Sequence, residues 1–303
     1  MKKRSGSKKH SKSNPKKKLI VPRPKFPIKT SKKKIILTTK TEKRKETPQE
    51  YVKTYIPGFD NLFEHGIPKG NSVLVEGGPG SGKTNFCMQV AHNLCEKGLK
   101  VLYMSFEEPE VRLKSHMTAF GWHPETLERK GLLRIKRFSA LDIARSVEAL
   151  LSEAKKELLI DIQPVFFPQD FNPDIVCIDS LSSIASAFSG EETRFRIYME
   201  QLFRYLEKFN ITSFLIREVS NPTHIGNVYV EKGEAVSFLS DGIIVIYNVI
   251  YKNGRRGGAI EVLKMRGEPI DKKIVAMDIK PKKGLVIYPK QELNTKKDGY
   301  ILT

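Results

Sequence analysis

The sequence predicts an α/β protein: a mostly parallel sheet flanked by helices, continued by an antiparallel C-terminal extension. Three observations predict it. Between residues 72 and 219, short apolar runs alternate with longer segments of helical periodicity, the pattern of strands joined by helical crossovers. One of those runs leads directly into "GGPGSGKT", a Gly-rich turn opening a helix. After residue 240 the alternation stops, and strand-like runs are separated only by turn residues.

Each element has its own signal. "SVLVEG" (72–77) is an apolar strand, and the helix after the Gly-rich loop runs from about residue 83 to 97, where Gly98 stops it. "KVLYMSF" (100–106) is the second strand. Pro109 suits the first turn of a helix reaching about Phe120. "LLRIKRF" (132–138) is a strand, and 139–156 carries apolar residues at helical spacing. "DIVCIDS" (174–180) is a fourth strand, a helix spans about 192–208, and "TSFLIREV" (212–219) is a fifth strand. "GIIVIYNVIY", "KNGRRGG" and "AIEVLKMRG" read as a hairpin around Asn253 and Gly254, and "KIVAMDIKPKKGLVIYP" adds two more strands. The segment 158–172, with Pro164 and Pro168, reads as an inserted loop, and no internal repeat is present.

Charge divides the chain. Residues 1–50 hold nineteen Lys or Arg against three Glu, +16 of the whole +19, so the other 253 residues are close to neutral. Residues 1–47 read as a disordered basic arm, 48–290 as one folded ATP-handling domain and 291–303 as a C-terminal tail. No run reaches the ~18 apolar residues of a membrane helix, and Pro22 interrupts the short apolar run 19–21, so neither membrane insertion nor a secretory leader is expected. Three cysteines without a CxxC pair fit a reducing cytoplasm.

The spacing G-x-x-x-x-G-K-T at residues 77–84 is that of a P-loop. Glycines let the backbone curl until several N–H groups point inward, and that nest, with the helix start behind it, binds phosphate oxygens. Gly77, Gly78, Pro79, Gly80, Ser81, Gly82, Lys83, Thr84 and Asn85 are therefore the candidate nucleotide-binding residues. Lys83 is placed to reach the β- and γ-phosphates of ATP, and the Thr84 hydroxyl to ligate Mg2+. Asp179 ends the strand "IVCID", where a carboxylate holds the metal's hydration shell or merely caps a helix. Glu107 and Glu108 follow the strand "VLYMSF", at the sheet end where ligands bind. From position alone they are either a base for the attacking water or solvated loop residues.

The segments "IPGFDNLFEHGIPKGNSVLVEGGPGSGKT", "SFEE", "IDS", "FLSDGIIVI" and "LKMRG" follow one another in this order. Together they resemble the KaiC branch of the RecA-like ATPases, most of all single-domain members of archaeal type, over about residues 55–288. The resemblance implies a RecA-like sheet, ATP with Mg2+, and a homo-oligomeric ring, a hexamer, with ATP between subunits. It implies that Glu107 and Glu108 are the paired catalytic glutamates. It also implies that Lys264 and Arg266, the K-x-R of "LKMRG", reach the γ-phosphate on a neighbouring subunit. Charge gathers on a phosphoryl group during transfer, so a cation there is useful; on spacing alone the two read equally as outward basic residues of an edge strand.

The chain also departs from that pattern. It carries one ATPase unit where the clock protein has two, so no clock role is expected. "REVS" carries Arg217 and Glu218; Arg217 either senses γ-phosphate or pairs with Glu218. The segment 220–234 is expected to face the ring axis, but with Glu231 and Glu234 it is poor in phosphate contacts. The arm, with Phe26 as its one aromatic, suits salt-sensitive contact with nucleic-acid phosphates rather than base stacking. An anionic membrane surface and a plain solvated tail are its other readings. The functional expectation is an ATP hydrolase; a slow-turnover signalling or assembly scaffold and a DNA-repair recombinase paralogue are the alternatives.

Overall fold

The computed structural model describes residues 49–154, 167, 168, 170–188, 190–219, 234–293 and 300–302. The arm 1–47, residues 220–233 of the axis-facing segment and most of the inserted loop 158–172 lie outside them.

A two-stranded ribbon, β1 (Tyr51–Val52) with β2 (Ile67–Pro68), precedes the main sheet. The sheet strands are β3 (Ser72–Gly77), β4 (Val101–Ser105), β5 (Leu133–Arg137), β6 (Ile175–Asp179), β7 (Thr212–Glu218), β8 (Gly242–Tyr251), β9 (Arg256–Met265), β10 (Val275–Lys280), β11 (Gly284–Glu292) and β12 (Tyr300–Leu302). Their order is β11-β10-β9-β8-β3-β7-β6-β4-β5, and β12 pairs with β8. The run from β8 to β5 is parallel, and β9, β10 and β11 continue it antiparallel. This is the predicted fold class.

Every residue of β3, β4 and β6 is buried, because a central strand needs cover on both faces. The period of two sends Val73 and Val75 into a core with Phe86, Leu94, Leu113 and Leu127. Leu74 enters the opposite core with Ile143, Ile184, Leu202 and Leu206. The first core is capped by α1 (Lys83–Glu96), α2 (Glu110–Ala119) and α3 (Pro124–Arg129), the second by α4 (Ala140–Ala154), α5 (Leu181–Ala187), α6 (Glu192–Lys208) and α7 (Glu234–Leu239).

The hairpin around Asn253 and Gly254 forms as its turn residues dictate. Gly254 has φ 79°, and Tyr251 N–H donates to Arg255 O at 2.9 Å. Several short elements are not evident in the sequence pattern, α3, α5 and β12 among them. α3 and α5 have six and seven residues, too few for a periodic signal. β12 falls in the segment read as a C-terminal tail, yet its three residues add to the part of β8 that overhangs β3.

Candidate active site

The parallel strands end their carboxyl termini on one rim, and most candidate residues meet there. β3 delivers the chain at Gly77, where a Cβ would stand 2.4 Å from Ile246 O and 2.6 Å from Ser81 Oγ. Gly82 has φ 102°, and α1 starts at the next residue, so its free N–H groups face the loop. Asn248 on β8 donates to Pro79 O at 3.1 Å and steadies the outer bend. Thr84 and Asn85 are half-buried in the first turn of α1.

Lys83 is buried at 6% exposure and donates to Gly77 O at 3.0 Å and Gly78 O at 2.9 Å. Burial lowers its pKa, while the charges of Glu218, then Asp179 and Glu107, oppose that shift. Ser81 Oγ is buried with no hydrogen-bond partner among the described residues. A buried ammonium, an unpartnered hydroxyl and a helix start around one loop fit a polyphosphate.

Thr84 Oγ1 donates to Asp179 Oδ2 at 3.0 Å, and Tyr103 Oη donates to the same oxygen at 2.8 Å. Burial pushes the Asp179 carboxyl up to about 6; the two hydroxyl donors pull it down, and the charges of Glu107 and Glu108 push it further up. A hydroxyl and a carboxylate in contact, both at the mouth of the loop, fit a divalent cation with retained waters.

The two glutamates have different surroundings. Glu107 Oε1 accepts from Ser180 Oγ at 2.5 Å and Ser183 Oγ at 2.7 Å. Ser180 also caps α5, so Glu107 is tied to the turn after Asp179. Glu108 Oε2 is buried and without a hydrogen-bond partner among the described residues, and it faces His116 Nδ1 at 3.7 Å, within ion-pair range. The charges of both glutamates act on Asp179, and that of Glu107 also on Lys83; a carboxylate so placed can accept a proton from water.

Arg217 does not pair with Glu218. It lies level with Glu76 on the adjacent strand and pairs with it at 3.1 Å, on the α6 and α7 side of the sheet. The alternation of a strand is the reason: neighbours 217 and 218 face opposite sides. Glu218 instead stands 3.9 Å from Lys83 Nζ. It is an acid at the site to which sequence reading gave no role there, and the strand period was the signal that could have found it. Tyr103, Ser180, Ser183 and Asn248 were also missed, since their roles depend on which strands are neighbours.

Lys264 and Arg266 are not at this rim. Met265 pairs with Gly242, which pairs with Val73, so roughly 13 Å of strand separates that level from Gly77. Lys264 Nζ donates to Ser237 O at 3.1 Å and Ser240 O at 2.5 Å, at the end of α7. Burial lowers its pKa, with the Arg266 charge adding and Asp241 opposing. Arg266 donates to Phe238 O at 2.8 Å, pairs with Asp241 at 3.3 Å and keeps 54% of its side chain exposed. It lines a cavity of about 340 Å3 together with Lys69, Asn71, Glu207, Asn210 and Asp241.

The family model described as the KaiC ATPase matches residues 52–292. This chain belongs to the KaiC ATPase family. A UPF0273 protein of Thermotoga maritima is 30% identical over 249 residues, covering 79% of this chain and 96% of that one. The circadian clock protein KaiC3 of Synechocystis is 29% identical over 241 residues, 79% of this chain but 46% of that protein. Among solved structures, a KaiC-like protein of the hyperthermophilic archaeon Pyrococcus horikoshii superposes with a TM-score of 0.63 at 28% identity, covering 80% of this chain and all of that one. The matched span of this KaiC-family chain runs from β1 to β11, so both ends of the sheet, with the loop residues at one and Lys264 and Arg266 at the other, fall inside it.

Proposed function

We propose that this KaiC-family chain is a Mg2+-dependent ATP hydrolase working in the cytoplasm as a homo-oligomeric ring, a hexamer, with each ATP held between two subunits. One observation carries the reading: the rim that holds Lys83, Thr84, Asp179, Glu107 and Glu108 lacks Lys264 and Arg266, which sit at the opposite end of the same sheet. Head-to-tail packing of such subunits would bring one subunit's cations to the next subunit's phosphates, and such heterologous contacts form a ring when their rotation closes.

The residues divide the work. The loop N–H groups and Lys83 bind the β- and γ-phosphates once Lys83 leaves the Gly77 and Gly78 carbonyls. Thr84 and Asp179 would hold Mg2+, which when bound offsets charge on the phosphate oxygens. The paired Glu107 and Glu108 supply the carboxylate that takes a proton from the water that attacks the γ-phosphorus, and ADP leaves. Arg266 and Lys264 from the neighbour stabilise the equatorial oxygens. The free thiols of Cys87, Cys95 and Cys177 are buried, which suits a reducing compartment. Among the described residues no helix is long and apolar enough to cross a membrane. The arm, residues 1–47, serves this ring as a sequence-independent tether to nucleic-acid phosphates.

The test is phosphate release from ATP by the purified full chain. Mg2+-dependent release that is lost in Lys83→Ala, by a particle several subunits in size, is the expected result. Release that survives Lys83→Ala would place the activity elsewhere.

A further inference from the structure

α7 holds the ends of both cations that the ring reading assigns to the neighbour's nucleotide. Lys264 donates to Ser237 O and Ser240 O, and Arg266 donates to Phe238 O. Yet α7 has only six residues, too few to be stable alone, so its position must be imposed by what it packs against. Val236 enters the core below it. The polar anchor is Arg217, whose Nη1 donates to Ser237 Oγ at 2.7 Å and to Glu76 Oε1 at 3.1 Å. Arg217 and Glu76 are 8% and 1% exposed, level with each other on the two central strands β7 and β3.

We propose that Glu76, Arg217 and Ser237 are positioning residues for the trans cations Lys264 and Arg266. The proposal rests on the reading that those cations serve the neighbouring subunit. A guanidinium fixed by a buried carboxylate on the stiffest part of the sheet gives α7 a fixed seat. The carbonyls of α7 then aim Lys264 and, through Phe238, Arg266. One residue beyond the pair, β3 becomes Gly77 and β7 becomes Glu218, 3.9 Å from Lys83. The seat of the outgoing cations is therefore built on the same two strands as the subunit's own phosphate loop. Loss of the seat should harm the next subunit's chemistry and leave the subunit's own ATP binding intact, which a merely stabilising ion pair would not do.

The test uses Ser237→Ala, which keeps the backbone carbonyl and removes only the hydroxyl, and the neutral pair variant Glu76→Gln with Arg217→Gln. In homomeric rings both should lower kcat by roughly 10–10²-fold, the scale of a misplaced catalytic group, with KM and ATP affinity unchanged within about twofold. Each is then mixed with Glu107→Gln, Glu108→Gln subunits, whose cations are sound. Turnover should return to the level reached in matched mixtures with Arg266→Ala subunits. Full activity of Ser237→Ala alone, or recovery with Arg266→Ala but none with Ser237→Ala, overturns the positioning role and leaves the ring reading standing. No recovery with Arg266→Ala either, in rings shown to be mixed, overturns the trans reading itself and the positioning role with it.

Discussion

Thr84 Oγ1 and Tyr103 Oη both donate to one carboxylate oxygen, Asp179 Oδ2, at 3.0 and 2.8 Å. That shared oxygen ties the first turn of the loop helix to two strands of the sheet. The Thr84 hydroxyl is thereby aimed before any metal arrives. Thr84→Ala keeps the loop and Lys83 but removes the hydroxyl proposed to hold Mg2+. Titrating ATP with and without Mg2+ should show that metal-free binding is retained and that the gain from Mg2+ falls by at least about 10–100-fold. Thr84→Ser should behave as the parent protein does. An undiminished Mg2+ effect in Thr84→Ala would remove the residue from the metal site.

Asp179 titrates at about 6, well above its ordinary 3.8, chiefly because it is buried. In the metal-free protein the native state therefore holds this proton more tightly than the unfolded chain does. The resulting stabilisation is full below about pH 4 and lost as pH rises through about 6. Above that, the buried carboxylate costs on the order of 3 kcal/mol. Asp179→Asn, which can still accept from Thr84 and Tyr103, should raise the metal-free Tm at pH 8, and the gain should shrink by pH 5. Thermal melts in chelator at both pH values check this; an equal difference at the two would contradict it.

Arg217 and Glu76 make a stability prediction separate from their positioning role. Arg217→Met leaves the buried Glu76 carboxylate without that guanidinium and should cost about 3–5 kcal/mol. The double change Glu76→Leu, Arg217→Met removes both charges and should recover much of that loss. Urea denaturation of the three proteins measures it. A single variant as stable as the parent would mean that the pair is not a buried ion pair in solution.

How much of this was legible beforehand depended on distance along the chain. The strand "SVLVEG" and the loop after it are local: apolar residues on both faces, then glycines that the backbone path demands. Asp179 at a strand end was legible for the same reason. Which acid faces Lys83 was not, because that depends on the register of β7 against β3. Arg217 and Glu218 are adjacent in sequence, and a strand turns them to opposite faces. The partners of Glu107 were hidden similarly, since Ser180 and Ser183 approach it only once β4 and β6 are neighbours. Short elements such as α5 and β12 owe their existence to packing on a finished sheet rather than to a pattern of their own.

Removing residues 1–47 separates the arm from the catalytic unit. The truncated protein should keep its ATP turnover and its assembly size. Full-length protein should bind DNA or RNA without sequence preference, and the affinity should fall by orders of magnitude between 50 and 200 mM salt. The truncation should lose most of that binding. A full-length chain with no salt-sensitive binding to either nucleic acid would leave the arm as a solvated tail.

The central claim is that the rim built from β3, β4 and β6 hydrolyses ATP rather than only holding it. Single-turnover release of phosphate from pre-bound ATP and Mg2+ tests that most directly, in the parent protein and in Glu107→Gln, Glu108→Gln. The double variant should bind ATP as tightly as the parent and release phosphate about 10²–10⁴-fold more slowly, the range that a positioned general base contributes. Phosphate release at the parent's rate in the double variant would contradict the account.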